Sequence, residues 1–349
     1  MDLTARRAGD AKYLITGGAG FIGSTIGSAL LDRGITPVIL DDLSTGRASF
    51  AAGRPFYRGD IADGALLDRI FAEHPEIRAT VHCAGVIVVP ESMRDPLRYY
   101  RENLAKSVEL VRHLVRNGCR RVLFSSTAAL YRPGDGFAVD ESSPVHPISP
   151  YARTKAMVET VLADCARAGE LSVVALRYFN PIGADPLLRT GLQLRNPTHA
   201  LGRMIEASLT GAEFPITGTD WPTRDGSAIR DYVHVWDLAE AHVAALAHFD
   251  DVVAAGADGF TALNIGTGVG TTVRELLAAF AAVTGQRLPH REAGPRPGDV
   301  PGVYNRSLRY RDLLRWSPRF GVEDGIRHAL RWRALDDQRY ATQPSLALR

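Results

Sequence analysis

The sequence predicts an α/β protein: a Rossmann-type, doubly wound parallel sheet with a smaller mixed α/β domain beside it. Three observations carry this. Short apolar runs at 12–16, 37–40, 79–82, 121–125 and 172–176 alternate with longer stretches of helical spacing, the pattern of a parallel sheet covered on both faces. A glycine-rich turn, Gly17-Gly18-Ala19-Gly20-Phe21-Ile22-Gly23, directly follows the first run. After residue 180 the texture changes, and 181–227 is rich in Gly, Pro, Thr and Asp. The expected division is a dinucleotide-binding domain over 12–180, with returning segments near 228–266, and a second ligand-binding domain over 181–227 and 267–335.

Taken in order, residues 12–16 (KYLIT) read as a buried strand. Ile22, Ile26, Leu30 and Leu31 give a helix over 20–33 that closes at Gly34. The second strand, 37–40, ends in Asp41-Asp42. Leu97, Tyr100, Leu104, Val108, Val111 and Val115 are spaced by three and four residues, predicting one helix with one apolar stripe. The strand at 121–125 runs into Ser125-Ser126-Thr127, and a helix begins after Pro150. Helices are expected near 199–210, 271–284 and 322–335. Strands at 229–235 and 261–265 are expected to return to the main sheet. About 11 residues at each end read as tails.

The chain has 349 residues, 45% hydrophobic and 23% charged, with a net charge of +2, which excludes a mainly disordered chain and a nucleic-acid or membrane-surface coat. No apolar run approaches the roughly 18 residues that span a bilayer. Cys83, Cys119 and Cys165 are far apart and show no metal-ligand spacing; so sparse a set fits a reducing compartment. A soluble cytoplasmic protein without a metal site is expected. Lysine occurs only at Lys12, Lys106 and Lys155, which makes each one conspicuous.

The turn has GxxGxxG spacing through Gly17, Gly20 and Gly23. Glycine lets the backbone approach a pyrophosphate closely, and the helix N-terminus at Phe21 and Ile22 offers free N–H groups and a positive dipole end. Asp41 ends the second strand, where a carboxylate accepts hydrogen bonds from both ribose hydroxyls of an adenosine and repels a 2′-phosphate. NAD is therefore favoured over NADP, although Arg47 nearby works against the inference. Asp42 reads as a second contact or as a solvated turn residue. Asp60-Ile61 follows a third extended stretch, placing a side chain at the adenine edge or a turn cap.

Tyr151-Ala-Arg-Thr-Lys155 sets a tyrosine and a lysine one helical turn apart. A phenol near pKa 10 is a poor base at neutral pH. A neighbouring ammonium, together with a cationic nicotinamide ring, stabilises its phenolate. Thr127 ends a strand at the edge where ligands of doubly wound sheets bind, within reach of a reacting oxygen beside Tyr151.

GGAGFIG, the Asp41 turn, HCAG at 82–85, ES at 91–92, YY..N at 99–103, SST at 125–127, YARTK, LRYFN at 176–180 and RDYVHVWDLAEAH at 230–242 together resemble the UDP-galactose/UDP-glucose 4-epimerases, members of the extended short-chain dehydrogenase/reductase superfamily. The resemblance covers about residues 12–330. It implies NAD-dependent C4 epimerisation of a UDP-hexose. The Tyr151 phenolate takes the sugar 4-OH proton, hydride passes to tightly held NAD+, and it returns to the other face once the 4-keto sugar has turned. It further implies that Thr127, Tyr151 and Lys155 are catalytic and that Ala84, Gly85, Asn103 and Tyr178 lie near the cofactor. Asn180, Arg230 and Arg296 would hold the diphosphate or uracil side, and Val303 would stand at the gate for the sugar 2-substituent, where its modest size suits a modified sugar. A homodimer through the helices at 97–115 and 151–168 is also implied.

Two departures stand out. Ile87 occupies a position where many members carry a lysine near the diphosphate, and Arg132-Pro133 follows Tyr131 where a glycine is common. The alternatives are a 4-epimerase of an N-acetylated, uronic or deoxy nucleotide sugar, a nucleotide-sugar decarboxylase or reductase, and a non-catalytic NAD sensor. A 4,6-dehydratase is disfavoured because Ala128-Ala129, not an acid–base pair, follows Thr127.

Overall fold

The computed structural model describes residues 11–342 except 133 and 135; most of both expected tails lies outside the described residues, as does Pro133. The first half contains β1 (Lys12–Thr16), α1 (Phe21–Leu31), β2 (Thr36–Asp41), β3 (Phe56–Arg58), α2 (Gly64–Glu73) and β4 (Ile77–His82). Next come α3 (Val89–Arg94), α4 (Pro96–Tyr99), α5 (Lys106–Arg116), β5 (Arg121–Thr127), β6 (Ala138–Val139), α6 (Pro150–Arg167) and β7 (Ser172–Tyr178). The chain continues through β8 (Asn180–Ile182), α7 (Ala200–Thr210), β9 (Phe214–Thr217), β10 (Ile229–His234), α8 (Val235–Ala247), α9 (Phe249–Ala254) and β11 (Phe260–Ile265). It closes with β12 (Gly270–Thr272), α10 (Val273–Thr284), β13 (His290–Ala293), β14 (Gly302–Asn305), α11 (Arg309–Leu314) and α12 (Val322–Thr342).

Seven strands form a wholly parallel sheet in the order β11-β7-β5-β4-β1-β2-β3. Its strands are apolar on both sides because helices cover both. Ile15, Ile39, Val81, Leu123 and Val174 pack with Ile26 and Leu30 of α1 and Leu238 of α8. On the other face, Leu14, Val38, Val122 and Phe124 pack with Leu67 of α2, Leu110 of α5 and Leu162 of α6. Each such fully buried Leu or Ile contributes about 1.5–3 kcal/mol. Strand order reverses between β1 and β4, which opens a crevice at the carboxyl ends of these strands.

Two expectations are corrected. The strand at 229–234 does not return to the main sheet: β10 pairs with β8, β12 and β14 in a second sheet, joined by β6 through β14. The edge position beside β7 belongs to β11 along the full register Phe260↔Val173 to Ile265↔Tyr178. The helix across 97–115 is also not continuous. A π-helical turn over Tyr100–Ala105 separates α4 from α5 and rotates the residues after it relative to those before. The apolar stripe therefore splits: Leu97 is 80% and Val108 39% exposed, whereas Val111 is 6% exposed and packs in the core.

Candidate active site

The glycine turn is built for a phosphate. Gly17 has φ +69°, and a Cβ there would stand 2.7 Å from the Ala84 nitrogen; a Cβ on Gly23 would stand 2.3 Å from the Gly17 oxygen. Helix α1 starts at Gly20 with no side-chain cap and no acidic residue in its first turn, so the N–H groups of Phe21 and Ile22 face the crevice without a competing carboxylate. Asp41 is buried, accepting from the Ala19 N–H at 2.9 Å and the Leu43 N–H at 2.8 Å. Burial raises its pKa despite those two bonds, and its remaining lone pairs suit two ribose hydroxyls. Arg47 is committed elsewhere, to Asp336 at 2.5 Å and to the Gln193 carbonyl, which removes the objection it raised to NAD. Asp42 is exposed and accepts from the Ser44 N–H at 2.8 Å, a solvated turn. These features fit a dinucleotide without a 2′-phosphate. Asp41→Asn is expected to cut retained NAD about tenfold, the scale of one charge-assisted hydrogen bond, measured as nucleotide released on denaturing the purified protein.

Ser149 caps α6 by accepting from the Ala152 N–H at 3.2 Å, with Pro150 in the first turn. This places Tyr151 and Lys155 on one buried face. Thr127 accepts from the Ala129 N–H at 3.1 Å, which leaves its own O–H to donate to the Tyr151 oxygen. Lys155 Nζ donates to the Ser125 carbonyl at 3.0 Å and lies 4.8 Å from the Phe124 ring centroid. Burial pushes the Tyr151 phenol up, with Thr127 opposing, and pushes Lys155 down to about 8. In the chain itself desolvation outweighs Thr127 and the phenol stays raised. Further positive charge at the ring is needed, and a cationic nicotinamide carries it.

Asn103 is buried. Its Oδ1 accepts from the Val86 N–H at 2.8 Å, and its Nδ2 donates to the Val86 carbonyl at 2.9 Å and Thr154 Oγ1 at 3.1 Å, so it clamps the Ala84–Gly85 turn to α6. Tyr178 shares the Ser125 hydroxyl, which also meets Cys83 Sγ at 3.1 Å and His242 Nε2 at 3.3 Å. Ile61 is buried in the core, while Asp60 accepts from the Ala62 N–H at 2.9 Å.

Across the crevice, Asn180 begins β8 beside Tyr232 of β10, and its side chain makes no hydrogen bond among the described residues. Arg230 donates to the carbonyls of Ile229 at 2.7 Å, Pro301 at 3.0 Å and Val300 at 3.1 Å, which leaves two of its five N–H groups for a ligand. Arg296 pairs with Asp299 at 3.1 Å, and both bear electrostatically on Arg230. Val303 packs against the cluster of Ala128, Tyr131, Val139 and Phe179. Position 302 admits only glycine, because its φ is +124° and a Cβ would lie 1.7 Å from the Ile229 oxygen. Ile87 is 59% exposed, and Arg132 is exposed.

Sequence reading missed a buried network behind the site. Glu159, one turn beyond Lys155, binds the Arg177 guanidinium through Nε at 3.0 Å and through Nη2, and accepts from the Ser126 hydroxyl. Arg177 also donates to Tyr131 Oη at 3.0 Å, whose hydroxyl donates to Asn264 at 2.7 Å. The signal was present: an arginine inside the apolar run SVVALRY must be paired. A second omission is Asp231, fully buried, which accepts from Thr267 Oγ1 at 2.7 Å and the Gly268 N–H at 3.0 Å.

A doubly wound sheet with a glycine turn, a ribose carboxylate and a Thr–Tyr–Lys group defines a dinucleotide-dependent enzyme acting at an alcohol or carbonyl carbon. The chain belongs to the NAD dependent epimerase/dehydratase family, whose model matches residues 13–266. It is 43% identical to the UDP-glucose 4-epimerase of Azospirillum brasilense over 334 residues, 95% of this chain and 94% of that one. The crystal structure of UDP-glucose-4-epimerase from Stenotrophomonas maltophila with bound NAD and formylated UDP-arabinopyranose superposes with a TM-score of 0.88 at 34% identity, covering 94% of this chain and 99% of that one. The UDP-Glc/GlcNAc 4-epimerase of Campylobacter jejuni matches with a TM-score of 0.77 at 33% identity, covering 92% and 99%.

Proposed function

We propose that the chain interconverts UDP-glucose and UDP-galactose by NAD-dependent epimerisation at sugar C4. The observation that carries this is the buried Tyr151–Thr127 pair between an uncapped glycine turn on one side and the Arg230–Arg296 pair on the other. When bound, the dinucleotide supplies a two-electron acceptor that takes hydrogen from C4 and gives it back. Phe21, Ile22 and Asp41 would hold it. Tyr151 takes the proton of the sugar 4-hydroxyl and later returns it, while Thr127 steadies the reacting oxygen. Lys155 keeps positive charge behind the site. Arg230, Arg296 and Asn180 anchor the diphosphate end without gripping the hexose, so the ring is free to present either face. Purified protein mixed with UDP-galactose, with no NAD added, is expected to form UDP-glucose by NMR; binding without conversion supports a sensor instead.

A second reading, acceptance of modified hexoses, is favoured by the modest volume of Val303 against Ala128 and Tyr131. The C. jejuni protein is named for both UDP-Glc and GlcNAc. UDP-N-acetylglucosamine is expected to turn over within about tenfold of UDP-glucose, one methylene-scale steric difference; no turnover removes this reading.

Leu97, Val108 and Met157 form exposed apolar points on neighbouring helices and support a homodimer through these elements. Sedimentation at micromolar concentration is expected to give twice the chain mass, and Leu97→Glu is expected to shift it to the monomer. Among the described residues no helix is long and apolar enough to cross a membrane, and no cluster suited to a metal is present. Three free thiols accord with a cytoplasmic setting.

A further inference from the structure

Between β2 and β3 the chain turns through 42–50, and this turn shapes the surroundings of Asp41. Leu43 is held at φ +63°, a left-handed conformation that is costly for a residue with a bulky side chain. The strained conformation has a use: the Leu43 N–H meets Asp41 Oδ1 at 2.8 Å. Gly46 then passes so close that a Cβ there would stand 2.7 Å from the same oxygen. The orientation of Asp41 therefore depends on the shape of the turn, and a strained turn persists only where its surroundings fix it.

What fixes it comes largely from far along the chain. The Arg47 N–H donates to the Ala19 carbonyl at 3.0 Å and ties the turn to the glycine turn. Gln193 Nε2 donates to the Thr45 carbonyl at 2.9 Å across 148 positions, and the Gln193 carbonyl accepts from the Arg47 guanidinium. Asp336 of α12 accepts from Arg47 Nη1 at 2.5 Å across 289 positions. Trp332, one helical turn earlier, donates its indole N–H to the Leu192 carbonyl at 2.9 Å and so joins the two anchors. Gln193, Trp332 and Asp336 are all buried, which sets these bonds apart from the exchangeable ion pairs of a surface.

We propose that Gln193 and Asp336 are positioning residues that hold the 42–50 turn in its strained form and thereby aim Asp41 at the ribose hydroxyls. This rests on the NAD reading above. Loss of either anchor lets Leu43 relax to negative φ, takes its N–H from Asp41, and loosens the grip on the ribose 2′-hydroxyl. A merely structural anchor lowers stability without changing which ribose the carboxylate selects.

The test loads full-length protein from an equimolar excess of NAD and its 2′-deoxyadenosine analogue, removes unbound nucleotide by gel filtration, and measures the retained ratio by mass spectrometry. A ratio does not depend on the fraction of protein folded. Wild type is expected to favour NAD about tenfold, the scale of one charge-assisted hydrogen bond. Gln193→Met is expected to reduce that preference to about twofold to threefold, and Asp336→Asn to move it the same way, which decides the matter should Gln193→Met fail to fold. Arg189→Met is the control: it breaks bonds to Asp32 and Asp185 made by the same segment but off the turn, and is expected to keep the wild-type ratio. A wild-type ratio in Gln193→Met, or an equal fall in Arg189→Met, overturns the proposal while leaving the NAD reading intact. Equal retention of the two dinucleotides by wild type removes the ribose role of Asp41 and the proposal with it, and retention of neither overturns the NAD reading as well.

Discussion

Replacing Tyr151 by phenylalanine is expected to lower kcat by about 10³-fold, within the 10²–10⁴ typical of a positioned proton-transfer group, while the protein still retains NAD. The ring stays, so packing against Thr127 and the strand end is preserved and only the oxygen is lost. Thr127→Ala is expected to have a smaller effect, because it removes one donor to the Tyr151 oxygen and leaves the base in place. The pH dependence follows from the two opposed shifts. Tyr151 is pushed up by burial, so the chain alone holds it protonated near neutrality. Lys155 is pushed down to about 8, so its positive charge is present below that pH and lost as pH rises through it. A fall in kcat on the alkaline side is expected at that point, and Lys155→Met is expected to abolish that limb. Stopped assays of UDP-galactose conversion across pH 6–10 check both. Wild-type activity in the Tyr151→Phe protein, with NAD retained, contradicts the assignment.

Arg177→Met is expected to produce the largest loss of stability. Glu159 and Arg177 are both under 10% exposed at their side chains, and removing the guanidinium leaves a buried carboxylate whose one remaining hydrogen-bond partner among the described residues is the Ser126 hydroxyl. Breaking a buried pair in this way costs about 3–5 kcal/mol. The double substitution Glu159→Leu with Arg177→Met is expected to be milder than Arg177→Met alone, because no charge is then stranded. Denaturant melts of the three proteins measure this. A single variant as stable as wild type shows that the network contributes no net stability. Activity is affected as well, since Glu159 lies on α6 one turn beyond Lys155 and Arg177 fixes the Tyr131 hydroxyl beside Asn264.

The parts of the fold and site that were legible in sequence are those written locally. The glycine spacing, the carboxylate ending β2, the Ser149-Pro150 start of α6 and the one-turn spacing of Tyr151 and Lys155 each depend on a few consecutive residues. What escaped depends on distant ones. The membership of β10 in the second sheet is decided by β8 and β14, whose paired residues lie 52 and 73 positions away (Tyr232↔Asn180 and Arg230↔Val303). The π-helical turn at Tyr100–Ala105 left the three-and-four spacing looking continuous, although Leu97 and Val111 face opposite environments. Lys155 met the Ser125 carbonyl and an aromatic face, surroundings that spacing along one helix cannot encode. The register of the loop that carries Val303 is set by Gly302, whose backbone leaves no room for a Cβ, and Val303 packs against the Ala128–Tyr131–Val139–Phe179 cluster.

The central claim is that one phenol oxygen and one retained dinucleotide invert C4 by taking a hydrogen away and restoring it. Conversion of UDP-galactose in D2O, followed by NMR without added NAD, tests it most directly. The account predicts UDP-glucose with no solvent deuterium at C4, because that hydrogen never exchanges with water. Deuterium at C4 of the product contradicts it.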